Sequence, residues 1–365
     1  MSKKVIRIFG MPSHSYVDRV SGVDFVRIIQ PMKALDGYKD EDTEFKVTVY
    51  NHAENESFDW RDVCADNDII YFNYTTNDVG YAVMGTMAQK YKCKLVCDVD
   101  DDIFNIMPGN PAYDGFKKGT WGLTVFTTIL NDVSYVTCTN NHLRHSLQFN
   151  TKKYGDKIAV FPNYIDLSLY KHRSPFKDTD TYTALHFGSS THHQDLYSPP
   201  FEKAINRIMY EYPNFTIKTI GAFIPSYRMK WGKRYQQGFG DTDLMKWIKM
   251  MPEHLDDADF MVVPLVNNTY NLSKSGIKYL EASSYKIPGV WQDLRQYREI
   301  IKDGVNGYLA STEEEWYTKI KSLLENTKLR KTMGGKAFET VEKDHQIQNQ
   351  MKSYASFFKR VLSSP

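Results

Sequence analysis

Residues 273–304 read SKSGIKYLEASSYKIPGVWQDLRQYREIIKDG, and this stretch decides how the chain is understood. Its pattern predicts a helix over 273–284, a short turn, a buried strand led by Ile287, Pro288, Gly289 and Val290, and a second helix over 297–304 capped by glycine. Lys274, Ser275 and Lys278 fall at the start and in the first turns of the first helix. A serine hydroxyl and two ammonium groups there add to free backbone N–H groups and to the positive end of the helix dipole. Glu281 follows further along, where a carboxylate suits a two-pronged grip on ribose hydroxyls. Together these residues have the chemistry to hold a nucleoside diphosphate. Taken alone, they also fit a solvated helix face with ordinary lysines.

The sequence on either side supports an open α/β architecture. In the first half, β-rich runs at 5–9, 45–50, 68–73, 94–98, 133–139 and 158–161 alternate with helical stretches at 23–35, 78–91, 120–130 and 140–149. A polar stretch within 162–183 reads as a linker. The alternation then restarts, with strands at 184–188, 215–221, 260–265, 288–292 and 307–310. Helices are expected at 199–210, 242–251, 273–284, 313–326 and 328–342, and a last amphipathic run at 346–362. Alternating strand and helix signals predict parallel sheets covered on both faces. The expectation is two Rossmann-like, doubly wound parallel-sheet domains, 1–170 and 171–343, facing a central cleft. Residues 344–365 are expected to pack back on the first domain. Ligands of such sheets sit at the C-terminal ends of the strands.

Composition narrows the function classes. The chain has 365 residues, 41% of them hydrophobic, which suits two globular domains. Its formal net charge is +2, far below that of a domain that grips a polyanion over its whole surface. The apolar runs are too short to cross a bilayer. The start, MSKKVIRIFG, runs directly into a strand pattern without a secretory signal, so a cytoplasmic location is expected. Cys64, Cys93, Cys97 and Cys138 lack zinc spacing and read as reduced thiols.

Three further groups can carry chemistry. Gly188, Ser189, Ser190, Thr191, His192, His193, Gln194 and Asp195 follow a predicted strand, and the glycine and hydroxyl residues can offer backbone and hydroxyl donors to phosphate oxygens, or the run can simply form a capped polar turn. Asp98, Asp100, Asp101 and Asp102 end the fourth strand. Such carboxylates can act as a base, stabilise positive charge on a sugar, hold a divalent cation, or cap a helix. Asp100 and Asp101 are the catalytic candidates. The long loop over 10–22 reaches Gly22, which permits close approach, and Arg27, which could meet a phosphate or form a surface ion pair.

These pieces, in this order, resemble the nucleotide-sugar glycosyltransferases of the GT-B fold, specifically the retaining family 4 group. The resemblance spans nearly the whole chain and is strongest over 184–307. It rests on the run from Ala184 to Gly188, Phe239 with Gly240, Leu280-Glu281-Ala282 with Ile287-Pro288, the closing Asn306-Gly307-Tyr308-Leu309, and Asn163, Ile165 and Asp166 near the hinge. It implies transfer of a sugar from a nucleotide-diphosphate donor, most simply a UDP-sugar, with retention and no obligatory metal. Glu281 would contact the ribose. Lys274, Ser275, Lys278, Ser189, Ser190 and His192 would surround the diphosphate, with Gly22 facing it from the first domain. Phe239 and Gly240 would frame the base. Ser273 stands where the family carries the first of its paired glutamates, and the usual Arg and Lys beside Gly188 are replaced. The acceptor could be a glycan, a lipid-linked sugar, a protein or a hydroxymethylated base in duplex DNA. For DNA, Arg228, Lys230, Lys233 and Arg234 form the candidate basic patch. An epimerase of the same fold and a non-catalytic binding protein are the alternatives.

Overall fold

The computed structural model describes residues 3–52, 58–170, 180–188, 192, 194–221, 230–238 and 240–364. The first half forms a sheet of six parallel strands: β1 (Lys4–Met11), β2 (Thr43–Val49), β3 (Ile69–Asn73), β4 (Lys94–Val99), β5 (Tyr135–Cys138) and β6 (Ile158–Val160), in the order β2-β1-β3-β4-β5-β6. The second half repeats the plan with β7 (Tyr182–Phe187), β8 (Phe215–Ile220), β9 (Tyr235–Gly238), β10 (Phe260–Val263), β11 (Gly289–Gln292) and β12 (Tyr308–Ala310). Their order is β12-β11-β10-β7-β8-β9, again parallel. Central strands such as Ile69–Asn73 and Phe260–Val263 are buried at every position, as strands covered on both faces require.

Helix placement follows from apolar spacing. The helix over 22–35 buries Phe25, Ile28, Met32 and Leu35 against the first sheet. Its middle, Phe25–Ile29, is a π turn, with Gln30 N–H reaching Phe25 C=O. Pro31 explains this widening, since it cannot donate to the Arg27 carbonyl and its ring would crowd that carbonyl in a regular helix. The C-terminal helix, Met351–Ser363, buries Tyr354, Ala355, Phe357, Phe358 and Val361 in the same core as Ile6, Ile8 and Phe45 of the first sheet. Tyr354 stacks on Phe161 with ring centroids 4.3 Å apart.

Several sequence expectations need correction. The helix predicted over 273–284 is two pieces, Thr269–Leu272 and Ile277–Ser284, because the Ser273–Gly276 stretch turns sharply between them. Gly276 leaves no room for a side chain there: a Cβ would lie 2.6 Å from Ile300 Cδ1. The helix expected over 297–304 is only Arg295–Arg298. Residues 235–238, where no strand was expected, form edge strand β9. The helix Trp60–Asp66, capped by Asp59, was not anticipated.

Arg27 is the most consequential buried side chain of the first half. Its guanidinium makes a two-pronged contact with Asp98, at 2.9 and 2.8 Å, and donates to Phe161 C=O at 2.7 Å and to Asn163 Oδ1 at 2.9 Å. Asp98 also accepts from Tyr71 and Thr137. Both charges are nearly inaccessible, so each depends on the other for solvation. Asp98→Asn or Arg27→Met should each lower stability by roughly 3–5 kcal/mol in urea melts, whereas the double variant should lose much less than the sum. Additive losses would show that the two groups do not act as a pair.

Candidate active site

The two sheets present the C-terminal ends of their strands to each other, and the turn over 273–276 meets the first domain there. Asn140, the N-cap of the Asn141–Asn150 helix, accepts from Leu143 N–H and donates to Ser273 C=O at 2.7 Å and Lys274 C=O at 3.2 Å. Asn163 donates to Ser275 Oγ at 2.7 Å. Ser273 is fully buried, and its hydroxyl donates to Asp102 Oδ2 at 3.2 Å. A second seam pairs Val20 N–H with Asp243 Oδ2 and Leu244 N–H with Val20 C=O, both at 2.9 Å.

Between the seams lies a cavity of about 400 Å³. Asp100, Asp101, His14, Tyr74 and Arg19 of the first domain line it, with Thr242 across the cleft. The loop carrying His14 is folded around buried Asp24, which accepts from Ser13 N–H, His14 N–H and Ser15 Oγ–H. His14 packs edge-on against Tyr74, and its Nε2 has no hydrogen-bond partner. Burial holds the His14 imidazole below its usual range, so it is neutral near pH 7.

Neighbouring carboxylates diverge in character. Burial and the adjacent charges of Asp101 and Asp98 push Asp100 up to about 7. Asp101 is also desolvated, but Lys274 and the Tyr270 hydroxyl outweigh that and hold it below the usual carboxylate range. Tyr270 Oη–H donates to Asp101 Oδ2 at 2.8 Å, and Lys274 Nζ lies 3.3 Å from Asp101 Oδ1. One carboxyl can therefore carry a proton near neutrality while its neighbour remains an anion that fixes Lys274.

Deeper in the second domain, Lys278, His192 and Asp195 form a buried line. Lys278 Nζ is 2.9 Å from His192 Nε2, and His192 Nδ1 is 2.9 Å from Asp195 Oδ2. Burial and Lys278 hold His192 well below its usual range. These partners therefore assign it as neutral, with Nδ1–H donating to Asp195 and Nε2 accepting from Lys278. Asp195 in turn accepts from Val266 N–H and Asn271 Nδ2. Burial and then Lys274 push Lys278 down to about 8, despite the opposing pull of Glu281. Burial also raises Glu281 to about 7, partly offset by Lys278 and a hydrogen bond from Trp247. The ring of Trp247 closes against Gly240, where a Cβ would meet it at 3.1 Å.

Likeness to known proteins follows this geometry. Residues 200–326 match the family model described as "Glycosyl transferases group 1". A search of curated protein sequences finds no match. Among solved structures, HepE of Anabaena, in complex with UDP and glucose, gives a TM-score of 0.65 at 14% identity, covering 98% of this chain and 100% of that one. The fold is GT-B. Sucrose-phosphate synthase of Thermosynechococcus elongatus gives 0.62 at 13% identity over 100% of both chains. TarM gives 0.59 at 15% identity over 81% of this chain, which spans 55% of TarM's length.

On this GT-B frame the predicted residues separate into groups. Across the cleft Asp101 meets Lys274 and Asn163 meets Ser275, Asp100 lines the cavity, and His192, Lys278 and Glu281 lie behind them. Arg27 does not reach the cleft: it is consumed by Asp98, so its expected contact with a ligand is corrected to a structural one. A Cβ on Gly22 would lie 3.9 Å from Leu244 Cδ1, so Gly22 sits at the domain seam. Arg234 donates to Met209 C=O and Tyr212 C=O, and Lys230 lies 4.0 Å from Glu202. Lys230, Lys233 and Arg234 precede β9, at the end of the sheet opposite the cleft, and so do not join the site. Ser189, Ser190, Phe239 and Arg228 lie outside the described residues. Sequence reading missed Asn140, Tyr270 and His14, and took Asp195 only as the end of the polar run after β7. Only His14 carried a signal, the length of its loop; the others needed the two sheets to be brought together.

Among the described residues, no group of three or more His, Cys, Asp or Glu side chains is arranged to hold a metal, and no helix is long and apolar enough to cross a membrane. The raised Glu281 makes a specific forecast. Its charged form is disfavoured in the folded state above pH 7, and that cost vanishes below about 4.5, where the group is protonated whether folded or not. Glu281→Gln should therefore stabilise the unliganded protein by about 1–3 kcal/mol at pH 8 and by little at pH 4.5. Thermal melts at the two pH values check this; equal effects at both would contradict it.

Proposed function

We propose that this protein is a glycosyltransferase that moves a sugar from a UDP-sugar to an acceptor hydroxyl, with retention, in the manner of the GT-B family 4 group. The observation that carries the reading is the placement of Lys274 and Lys278 at the strand ends of the second domain, with Glu281 buried behind them and Asp100 opposite across the cleft. UDP and glucose bound to HepE, together with the group 1 match over residues 200–326, support a nucleotide-sugar donor.

In this reading Glu281 grips the ribose, while Lys278, Lys274 and Ser275 receive the diphosphate. Phosphate oxygens would take up hydrogen bonds that Lys278 now shares with His192, and their charge would restore full protonation of Lys278. The reacting sugar faces Asp100. The bond from the anomeric carbon to the diphosphate breaks with its electron pair leaving on the phosphate oxygen. The acceptor oxygen bonds to the same face of that carbon, and its proton passes to the departing phosphate. The lysines and the helix start stabilise the leaving charge, so the reaction as proposed calls on no metal. Ser273 has no carboxylate to offer the sugar, and its hydroxyl is spent on Asp102; the carboxylates beside the cleft come from the first domain instead. The acceptor would enter past His14, Tyr16 and Tyr74, a polar cavity with aromatic walls that suits a saccharide.

UDP should raise the melting temperature, since it binds the folded state. Its affinity should fall as pH rises through about 8, where Lys278 loses its charge. Lys278→Met should weaken UDP binding by roughly tenfold to a hundredfold and flatten that pH dependence. Absence of a shift with any nucleoside diphosphate would defeat the donor assignment. Asp100→Asn, which removes the carboxylate facing the reacting sugar, should lower the rate of UDP release from a UDP-sugar by roughly 10²–10³-fold while leaving UDP affinity nearly unchanged. An unaltered rate would remove Asp100 from the chemistry.

A further inference from the structure

A second cavity, of about 470 Å³, opens between edge strand β6, the Asn141–Asn150 helix and the C-terminal helix Met351–Ser363. Arg144 enters it from one helix, and Ser353, Ser356 and Arg360 from the other; the spacing of these three puts them on one helical face. Among the described residues neither Arg144 nor Arg360 has a carboxylate within 4.0 Å, although Asp156 stands on the same cavity wall. Arg144 Nε is buried and has no hydrogen-bond partner. Arg360 lies over the ring of Phe357, 5.7 Å from its centroid, and Ile158, Val160 and Phe357 give the cavity an apolar floor.

Both guanidiniums line one cavity, Arg360 from an exposed position, and the buried unpaired Arg144 N–H costs free energy that an anion accepting from it would offset. Guanidinium forks match the oxygens of a phosphate group, and the serine hydroxyls add two more donors. We propose that this cavity binds a phosphate monoester, its phosphate set between Arg144 and Arg360 and its organic part on the apolar floor. The site is separate from the proposed donor site and does not depend on it. It does touch the domain seam: Arg144 lies one turn beyond Asn140, whose side chain holds Ser273 and Lys274. An anion bridging the two helices would therefore stiffen the element that keeps the cleft closed.

The test is a thermal-shift titration of the full chain with glycerol 3-phosphate and with inorganic phosphate. Wild type should gain ~3 °C or more at saturation. The gain should persist in Lys278→Met, which removes a cation of the donor site, and should be lost in Arg144→Gln and Arg360→Gln, both of which should still respond to UDP. Arg144→Lys should keep the unliganded melting temperature and lose at least tenfold in affinity, because one ammonium cannot replace a two-pronged fork. If Arg144→Gln does not fold, Arg360→Gln, on an exposed helix face, decides the matter. Sedimentation with phosphatidic acid vesicles, set against phosphatidylcholine vesicles, distinguishes a lipid headgroup from a soluble ester as the source of the phosphate. A shift that survives in Arg360→Gln, or no shift together with no vesicle binding, overturns the proposal.

Discussion

The buried pair of Arg27 and Asp98 is the constraint on which the rest of the molecule depends. A guanidinium and a carboxylate removed from water must find all their partners inside the protein. Arg27 does so by reaching from the first helix to the end of β4 and to the chain just beyond β6. That geometry fixes where β4 ends, and so where Asp100, Asp101 and Asp102 emerge. It also orients Asn163, whose amide then holds Ser275 of the second domain. One buried charge thus links the core of the first sheet to the loop that presents Lys274.

The cleft shows the same physics with the opposite outcome. Here the charges are desolvated without being fully neutralised. Burial and Lys274 lower Lys278, burial raises Glu281, and burial with two neighbouring aspartates raises Asp100. Each group titrates within about a unit of pH 7, where a small change in surroundings alters its charge. Arg27 and Asp98 are saturated with hydrogen bonds and serve structure, whereas Lys278 and Asp100 keep capacity for a ligand. Saturation of partners, more than charge type, separates the ionic groups locked in the core from those at the cleft in this protein.

Much of the architecture was legible in the residues. Two runs of alternating strand and helix signals imply two parallel sheets, because buried parallel strands need apolar sequence on both faces. Errors arose where local pattern and tertiary space disagreed. A single helix over 273–284 satisfies local propensity, but Asn140 binds the carbonyls of Ser273 and Lys274 and Asn163 binds the Ser275 hydroxyl, and the chain turns there instead. Strand β9 has the sequence YQQG, which carries little apolar signal, and pairing with β8 alone makes it a strand. The basic residues before it suggested a ligand surface, yet Arg234 is used to cap a helix end.

By itself, the sequence determined the fold class, since strand periodicity is a local property, and it marked Lys274, Ser275 and Lys278 as candidates to meet a phosphate. Only the tertiary structure decided which charges are spent and which remain open. Arg27, in the first helix, and Asp101, just beyond β4, look alike in a sequence as charged residues with no partner nearby in the chain. The first is locked in the core by four hydrogen bonds, while the second faces Lys274 from the other domain. Partners so far apart along the chain meet only once both sheets have folded, so their pairing cannot be read from spacing.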